Sequence, residues 1–234
     1  MKRIALAVLA VLLAARAVAQ EAPPPPPAYP GYPPPQPYPQ PQGYPAPGYY
    51  ASPSAHRHLG FFLRFDIGPA YVSSSASAGG IDAKIKGGGL DFSFNIGGAI
   101  SENLILSGHF WGHTAFGPDV EIGGLTGTTP NDTSLSLSGF GPSFTYYWTP
   151  ANVFLTVTPS FTRLTVDNGS GGGAGSTELG FGIFGSFGKE WWVSDHWGLG
   201  VAGQLAASSN KDKGTGAPTW GTGSVALVFS ATYN

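Results

Sequence analysis

From residue 58 onward, apolar and polar side chains alternate one for one, and no useful length of chain carries a helical period. Leu59, Phe61, Leu63, Phe65 and Ile67 share one parity, and Arg64, Asp66 and Gly68 share the other. Leu90, Phe92, Phe94 and Ile96 oppose Asp91, Ser93 and Asn95 in the same way. Val153, Leu155, Val157 and Phe161 oppose Thr156, Thr158, Ser160 and Thr162. A period of two marks a strand whose faces meet different surroundings. Eight such segments are predicted, at 58–72, 89–100, 103–116, 133–148, 152–166, 177–192, 195–208 and 219–233. One breaks the phase: Leu135 and Leu137 share a parity, but Phe140, Phe144, Tyr146 and Trp148 take the opposite one. A bulge near Ser138 and Gly139 would restore it.

The connections decide which solvent lies on the apolar side. Residues 73–88, 117–132, 167–176 and 209–218 are long and rich in Gly, Ser or Thr, whereas 101–102, 149–151 and 193–194 are tight. Strict alternation of long and short links suits an up-and-down antiparallel barrel in a membrane, because a Greek-key sandwich scatters its connection lengths. Each segment also reaches the roughly 9–11 residues that a tilted membrane strand needs. The expected fold is therefore all-β, an eight-stranded antiparallel up-and-down transmembrane β-barrel. Closure pairs every backbone N–H and C=O, which hydrocarbon demands. The interior of eight strands is about wide enough for side chains to fill. Inward glycines such as Gly97, Gly180, Gly182 and Gly200 are expected to relieve crowding against Phe62, Trp111 and Phe184.

Composition sharpens this picture. Only 10% of the 234 residues are charged, against about 25% in an ordinary globular protein. There is no cysteine, hence no disulfide framework, thiolate metal site or lipobox. Residues 1–19 read as a signal peptide: Lys2 and Arg3, an apolar run from Ile4 to Ala15, then Ala17-Val18-Ala19. Residues 20–57, rich in Pro, Tyr and Gly, read as an extended periplasmic tether, and 58–234 as the barrel. Eleven basic residues face 13 acidic ones, and cleavage would remove Lys2, Arg3 and Arg16. That balance argues against a nucleic-acid partner.

Aromatic residues crowd the tight turns. Tyr147 and Trp148 flank one, Trp191, Trp192 and Trp197 another, and Phe229 and Tyr233 stand at the chain end. Indole and phenol rings favour the headgroup level, so these residues are expected to form a girdle at the tight-turn rim. Trp148 and Trp192 also have the parity to cap the lumen.

The apparent export signal, the eight alternating segments, the long and short loops and the closing Phe229-Ser230-Ala231-Thr232-Tyr233 resemble the small outer-membrane β-barrel proteins of Gram-negative bacteria. That group includes the membrane domain of OmpA and the OmpX-like and opacity-like barrels. The resemblance covers roughly residues 58–234 and rests on pattern. It implies an outer-membrane location, a monomer, lipid and lipopolysaccharide as surroundings, and barrel-assembly machinery as a partner during biogenesis. Such proteins usually close on an aromatic residue, whereas here Asn234 follows Tyr233. No peptidoglycan-binding domain is expected after the barrel.

Candidate chemistry lies on the polar parity. Arg64, Asp66, Asp91, Asn95, His109, His113 and Glu190 are expected to share the lumen, with Arg64 paired to Asp91 or Glu190, because charges in so dry a space must pair. This reads as a structural plug rather than an ion path. His109 and His113, four apart on a strand, stand roughly 13 Å from each other, too far to share one ion. No metal or cofactor is expected. The long loops hold carboxylates but no histidine, and His113 with Ser73 or Ser74 only imitates a catalytic set. The expectation is no enzyme. Arg163, Lys84, Lys86, Lys211 and Lys213 are candidates for lipopolysaccharide phosphates. Ile81, Ile85, Val120, Ile122 and Leu125 in the long loops mark either a contact surface, for host or matrix, or strands prolonged into a rim. The expected role is non-catalytic, envelope-structural or surface-interacting. A narrow channel for small or apolar solutes is the alternative.

Overall fold

The computed structural model describes residues 56–169 and 174–234. The expected signal peptide, and all of the expected tether except His56 and Arg57, lie outside the described residues. Eight long strands build the wall. They are β1 (Phe61–Ala78), β2 (Ile81–Ser101), β3 (Leu104–Phe116), β6 (Ser134–Trp148), β7 (Val153–Asp167), β9 (Gly180–Trp192), β10 (Trp197–Lys211) and β11 (Thr219–Tyr233). Three short strands stand between them: β4 (Asp119–Ile122), β5 (Leu125–Thr128) and β8 (Ala174–Ser176). Each long strand pairs antiparallel with the next, and β1 pairs with both β2 and β11. The wall is thus a closed eight-stranded antiparallel barrel.

Alternation along the strands becomes inside and outside. On β1, Phe62, Arg64 and Asp66 are buried, while Phe61, Phe65 and Ile67 are exposed. The exposed set continues around the wall through Phe92, Phe110, Phe161, Phe181 and Leu227. An apolar outer surface of this extent belongs against hydrocarbon, since soluble monomers rarely expose apolar patches above a few hundred Å².

One expectation needs correction. Strand β6 carries no bulge near Ser138 and Gly139: it pairs with β3 without a slip from Ser134 to Tyr146. Leu135 and Leu137 instead turn into the lumen and are fully buried, while Phe140 and Phe144 face outward. The change of parity was a change of lumen chemistry, from polar to apolar. The β6–β7 ladder lapses elsewhere, between Phe140↔Phe161 and Phe144↔Val157, where the register sets Pro142 opposite Pro159 and neither has an N–H to donate.

Of the two readings of the long loops, the first two connections carry strands prolonged into a rim. β1 and β2 pair without interruption up to Ala78↔Ile81 and turn at Gly79 and Gly80. Strand β4 adds to β2 from Ala83↔Ile122 to Lys86↔Asp119, and β5 adds to β4. Gly123 and Gly124 close that hairpin with φ of 56° and 86°, angles that a two-residue hairpin turn requires and other residues resist. The barrel therefore carries a strand-built rim at its loop end.

Candidate functional site in the barrel lumen

Arg64 sits in the lumen at the tight-turn end, fully buried. Its Nη2 donates to Glu190 Oε1 at 2.9 Å and its Nε to the same oxygen at 3.1 Å. Thr232 Oγ1 and Thr156 Oγ1 accept from it at 3.3 Å each, and Tyr147 Oη accepts a short bond from Nη2. Tyr147 Oη donates to Glu190 Oε2 at 3.0 Å, and Thr232 Oγ1 to Glu190 Oε1 at 2.6 Å. The guanidinium carbon lies 3.8 Å from the centre of the Phe154 ring. Charge, hydrogen bonds and a π face together offset the desolvation of a buried ion pair.

The segment before β1 covers this network. His58 stacks on Tyr147 at 3.5 Å between ring centres. Its Nε2 lies 2.7 Å from Asn152 Oδ1 and its Nδ1 3.0 Å from Asn234 Oδ1. Burial holds the His58 pKa below its ordinary value, against the opposing pull of the two amide contacts. Burial thus favours the neutral ring, which needs one donor and one acceptor opposite it. Asn152 Nδ2 and Asn234 Nδ2 lack partners among the described residues, so a half-turn of either amide supplies the donor.

Above this level the lumen is polar without being fully paired. Ser93 donates to Asp66 Oδ2 at 2.7 Å, while Asp66 Oδ1 has no partner among the described residues. His113 Nε2 lies 2.8 Å from Asp91 Oδ2, a close approach but not an aligned hydrogen bond. His109 Nδ1 meets Thr158 Oγ1 at 2.9 Å. Asn95 Oδ1 accepts from Ser107 at 3.3 Å.

Toward the loop end an apolar cluster forms among buried polar groups such as Ser74, Thr162 and Asn210. Val72, Trp111, Leu135, Leu137, Leu164, Phe184 and Ala206 pack into one buried cluster. Trp111 Nε1 donates to Ser160 Oγ at 3.0 Å, so the indole is satisfied inside it. A methyl group on Gly139 would lie 2.5 Å from the Trp111 ring, and this explains a glycine there. The inward glycines singled out from the sequence serve a different purpose. A methyl group on Gly97, Gly180 or Gly182 would first meet a neighbouring strand's carbonyl, not Phe62, Trp111 or Phe184.

The same arrangement of strands occurs in Neisserial surface protein A (NspA), which is 18% identical with a TM-score of 0.51 over 74% of this chain and 96% of that chain. The chain has the fold of a small outer-membrane β-barrel. OprG from Pseudomonas aeruginosa is 13% identical, with a TM-score of 0.46 over 77% of this chain and 99% of that one. The outer membrane protein AlkL, solved in DMPC lipid bilayers, is 14% identical, with a TM-score of 0.46 over 82% of this chain and 95% of that one. No family model and no curated sequence matches the chain.

On the outside of this outer-membrane barrel fold, Trp148, Trp191, Trp197 and Phe229 are exposed at the tight-turn end. Tyr233 lies against Trp197, ring centres 5.3 Å apart. Tyr147, expected with them, points inward and is fully buried, because it shares the parity of Thr145 and Ser143 on β6. Trp192 is half-buried and lies over His56 and His58 at 5.5 and 5.1 Å, capping the lumen instead of joining the girdle. Trp148 does not cap the lumen. Arg163 and Lys211 are exposed at the loop end. Lys84 and Lys86 stand on β2 opposite Glu121 and Asp119 of β4. Lys213 Nζ donates to Ser176 Oγ at 2.9 Å. Sequence reasoning missed His58, Asn152, Asn234 and Tyr147 as parts of the lumen closure. Parity was the available signal for all four: Tyr147 shares that of Thr145, His58 that of Arg64, Asn152 that of Thr156 and Asn234 that of Thr232.

Proposed function

We propose that this chain is a monomeric, non-catalytic outer-membrane protein whose working surface is its loop-end rim. The observation that carries this reading is the prolonged hairpin formed by β1, β2, β4 and β5. It ends in exposed Ile81, Ile122 and Leu125, the last 81% exposed. Exposed aliphatic side chains on a strand-built support mark a contact surface for host or matrix. In this reading residues 1–19 direct export and 20–57 span part of the periplasm. Assembly machinery inserts the barrel, with tight turns inward and loops outside. Arg163, Lys84, Lys86 and Lys211 then stand near lipopolysaccharide phosphates. No enzyme activity is proposed, because His113 faces Asp91 in the sealed lumen and Ser74 is engaged by Thr222 at 2.8 Å.

Replacing Asp119–Thr128 by a short Gly-Ser link tests the reading. The variant is expected to keep its heat-modifiable gel migration but lose most adhesion of expressing cells to matrix. Undiminished adhesion overturns it. The second reading, a narrow channel for small or apolar solutes, is favoured by the apolar cluster toward the loop end of the lumen. The Arg64–Glu190 network below counts against it. Steady large conductance in planar bilayers would reverse that ranking.

A further inference from the structure

A cavity of about 460 Å³ opens at the loop-end mouth, between strands that are far apart in sequence. Its wall comes from Ile85 on β2, Leu164 and Val166 on β7, and Trp220 on β11, with Ser176 and Lys213 at the rim. That volume lies within the range of about 300–1,000 Å³ typical of small-molecule sites. Ile85, Val166 and Trp220 pack on the buried Trp111–Phe184 cluster, so the floor is solid and the cavity is a dead end.

Its polar groups are arranged unequally. Asp212 also lines the cavity, but both its oxygens are engaged: Oδ1 accepts from Lys213 N at 2.8 Å and Oδ2 from Trp220 Nε1 at 3.4 Å. The second contact fixes the indole as a standing wall, which lowers the ordering cost of a ligand. The Lys213 ammonium, by contrast, has a single neutral partner among the described residues, Ser176 Oγ. It retains donors for an anion. One ammonium is a point charge suited to a singly charged head, whereas a phosphate dianion favours several donors or a bidentate guanidinium.

We propose that this mouth binds a small amphiphilic carboxylate, with its apolar body against Ile85, Leu164, Val166 and Trp220 and its head on Lys213. The site binds but does not pass its ligand, because the cluster beneath it closes the lumen. Its lining is distinct from the exposed Ile81, Ile122 and Leu125 of the adhesive rim, although Ile85 of its wall pairs with Val120 of β4.

Hexanoate, hexanol and hexylammonium, titrated at neutral pH into the full chain in lipid nanodiscs, test the proposal by methyl and indole NMR. Hexanoate is expected to give saturable shifts at Ile85, Leu164, Val166 and the Trp220 indole. It should bind about tenfold tighter than hexanol, the effect of one charge-assisted hydrogen bond, with hexylammonium weakest. Lys213→Gln should remove the hexanoate advantage and leave hexanol unchanged. Val166→Phe, which fills the cavity, should abolish the shifts while preserving the spectrum of the barrel. Non-saturable shifts spread over outward residues such as Leu205 and Val225 would mean partition into lipid and overturn the proposal. So would equal binding of hexanoate and hexylammonium, or full binding by Val166→Phe.

Discussion

Arg64 and Trp111 are both fully buried in one lumen, yet they are held in different ways. Arg64 depends on a particular carboxylate, Glu190, with Tyr147, Thr156 and Thr232 completing its hydrogen bonds. Trp111 depends on shape, with one bond to Ser160 and an apolar cluster around it that includes Phe184. The tight-turn end is thus closed by pairing and the loop end by packing. A paired closure fails abruptly when one partner is lost, since an uncompensated charge stays buried. A packed closure fails in proportion to the volume removed.

The comparison breaks first at Glu190. Glu190→Leu should cost about 3–5 kcal/mol, measured by urea unfolding from lipid vesicles, because Arg64 is left alone. The double variant Arg64→Leu/Glu190→Leu should recover most of that loss. If the double is as unstable as the single, pairing is not what closes this end. Leu137→Ala at the loop end should cost about 3 kcal/mol, and a second truncation there should add a similar amount without rescue. Gly139→Ala should cost about 2 kcal/mol by pushing the Trp111 ring. A neutral effect there would show that the apolar cluster is loosely packed.

The smallest effect concerns pH. The folded pKa of His58 lies below its unfolded value, so the unfolded chain binds the proton more readily. This group's contribution is complete above the ordinary histidine pKa and is lost as pH falls through the folded value. Unfolding midpoints of the wild type should therefore fall more between pH 7.5 and pH 5 than those of His58→Gln. Equal falls would remove His58 from the account of the tight-turn closure.

Much of this was legible beforehand. Alternation at Phe61–Ile67 or Phe92–Ile96 reports facing directly, since a pleated strand sends neighbours to opposite sides. Lumen membership of Arg64, Asp66, Asp91 and Glu190 follows from the same parity. The choice of Glu190 over Asp91 as partner for Arg64 does not, because 126 residues separate the pair. At Leu135 and Leu137 the rule that apolar means outward failed. A barrel interior accepts either chemistry, provided its side chains fill the space. The hairpin of β4 and β5 was hidden in a Gly- and Thr-rich stretch that reads as loop and forms strand only with β2 beside it.

The sequence by itself determined the number of wall strands, their facing outside the start of β6 at Leu135 and Leu137, and the alternation of tight and long connections, because these follow from local period and turn chemistry. Tertiary structure alone decided which lumen residues meet. The stagger of a closed sheet brings β1 near β6, β7 and β9 across the lumen. It sets Tyr147, His58 and Asn234 into one closure, and Trp220 beside Leu164 and Ile85 at the mouth.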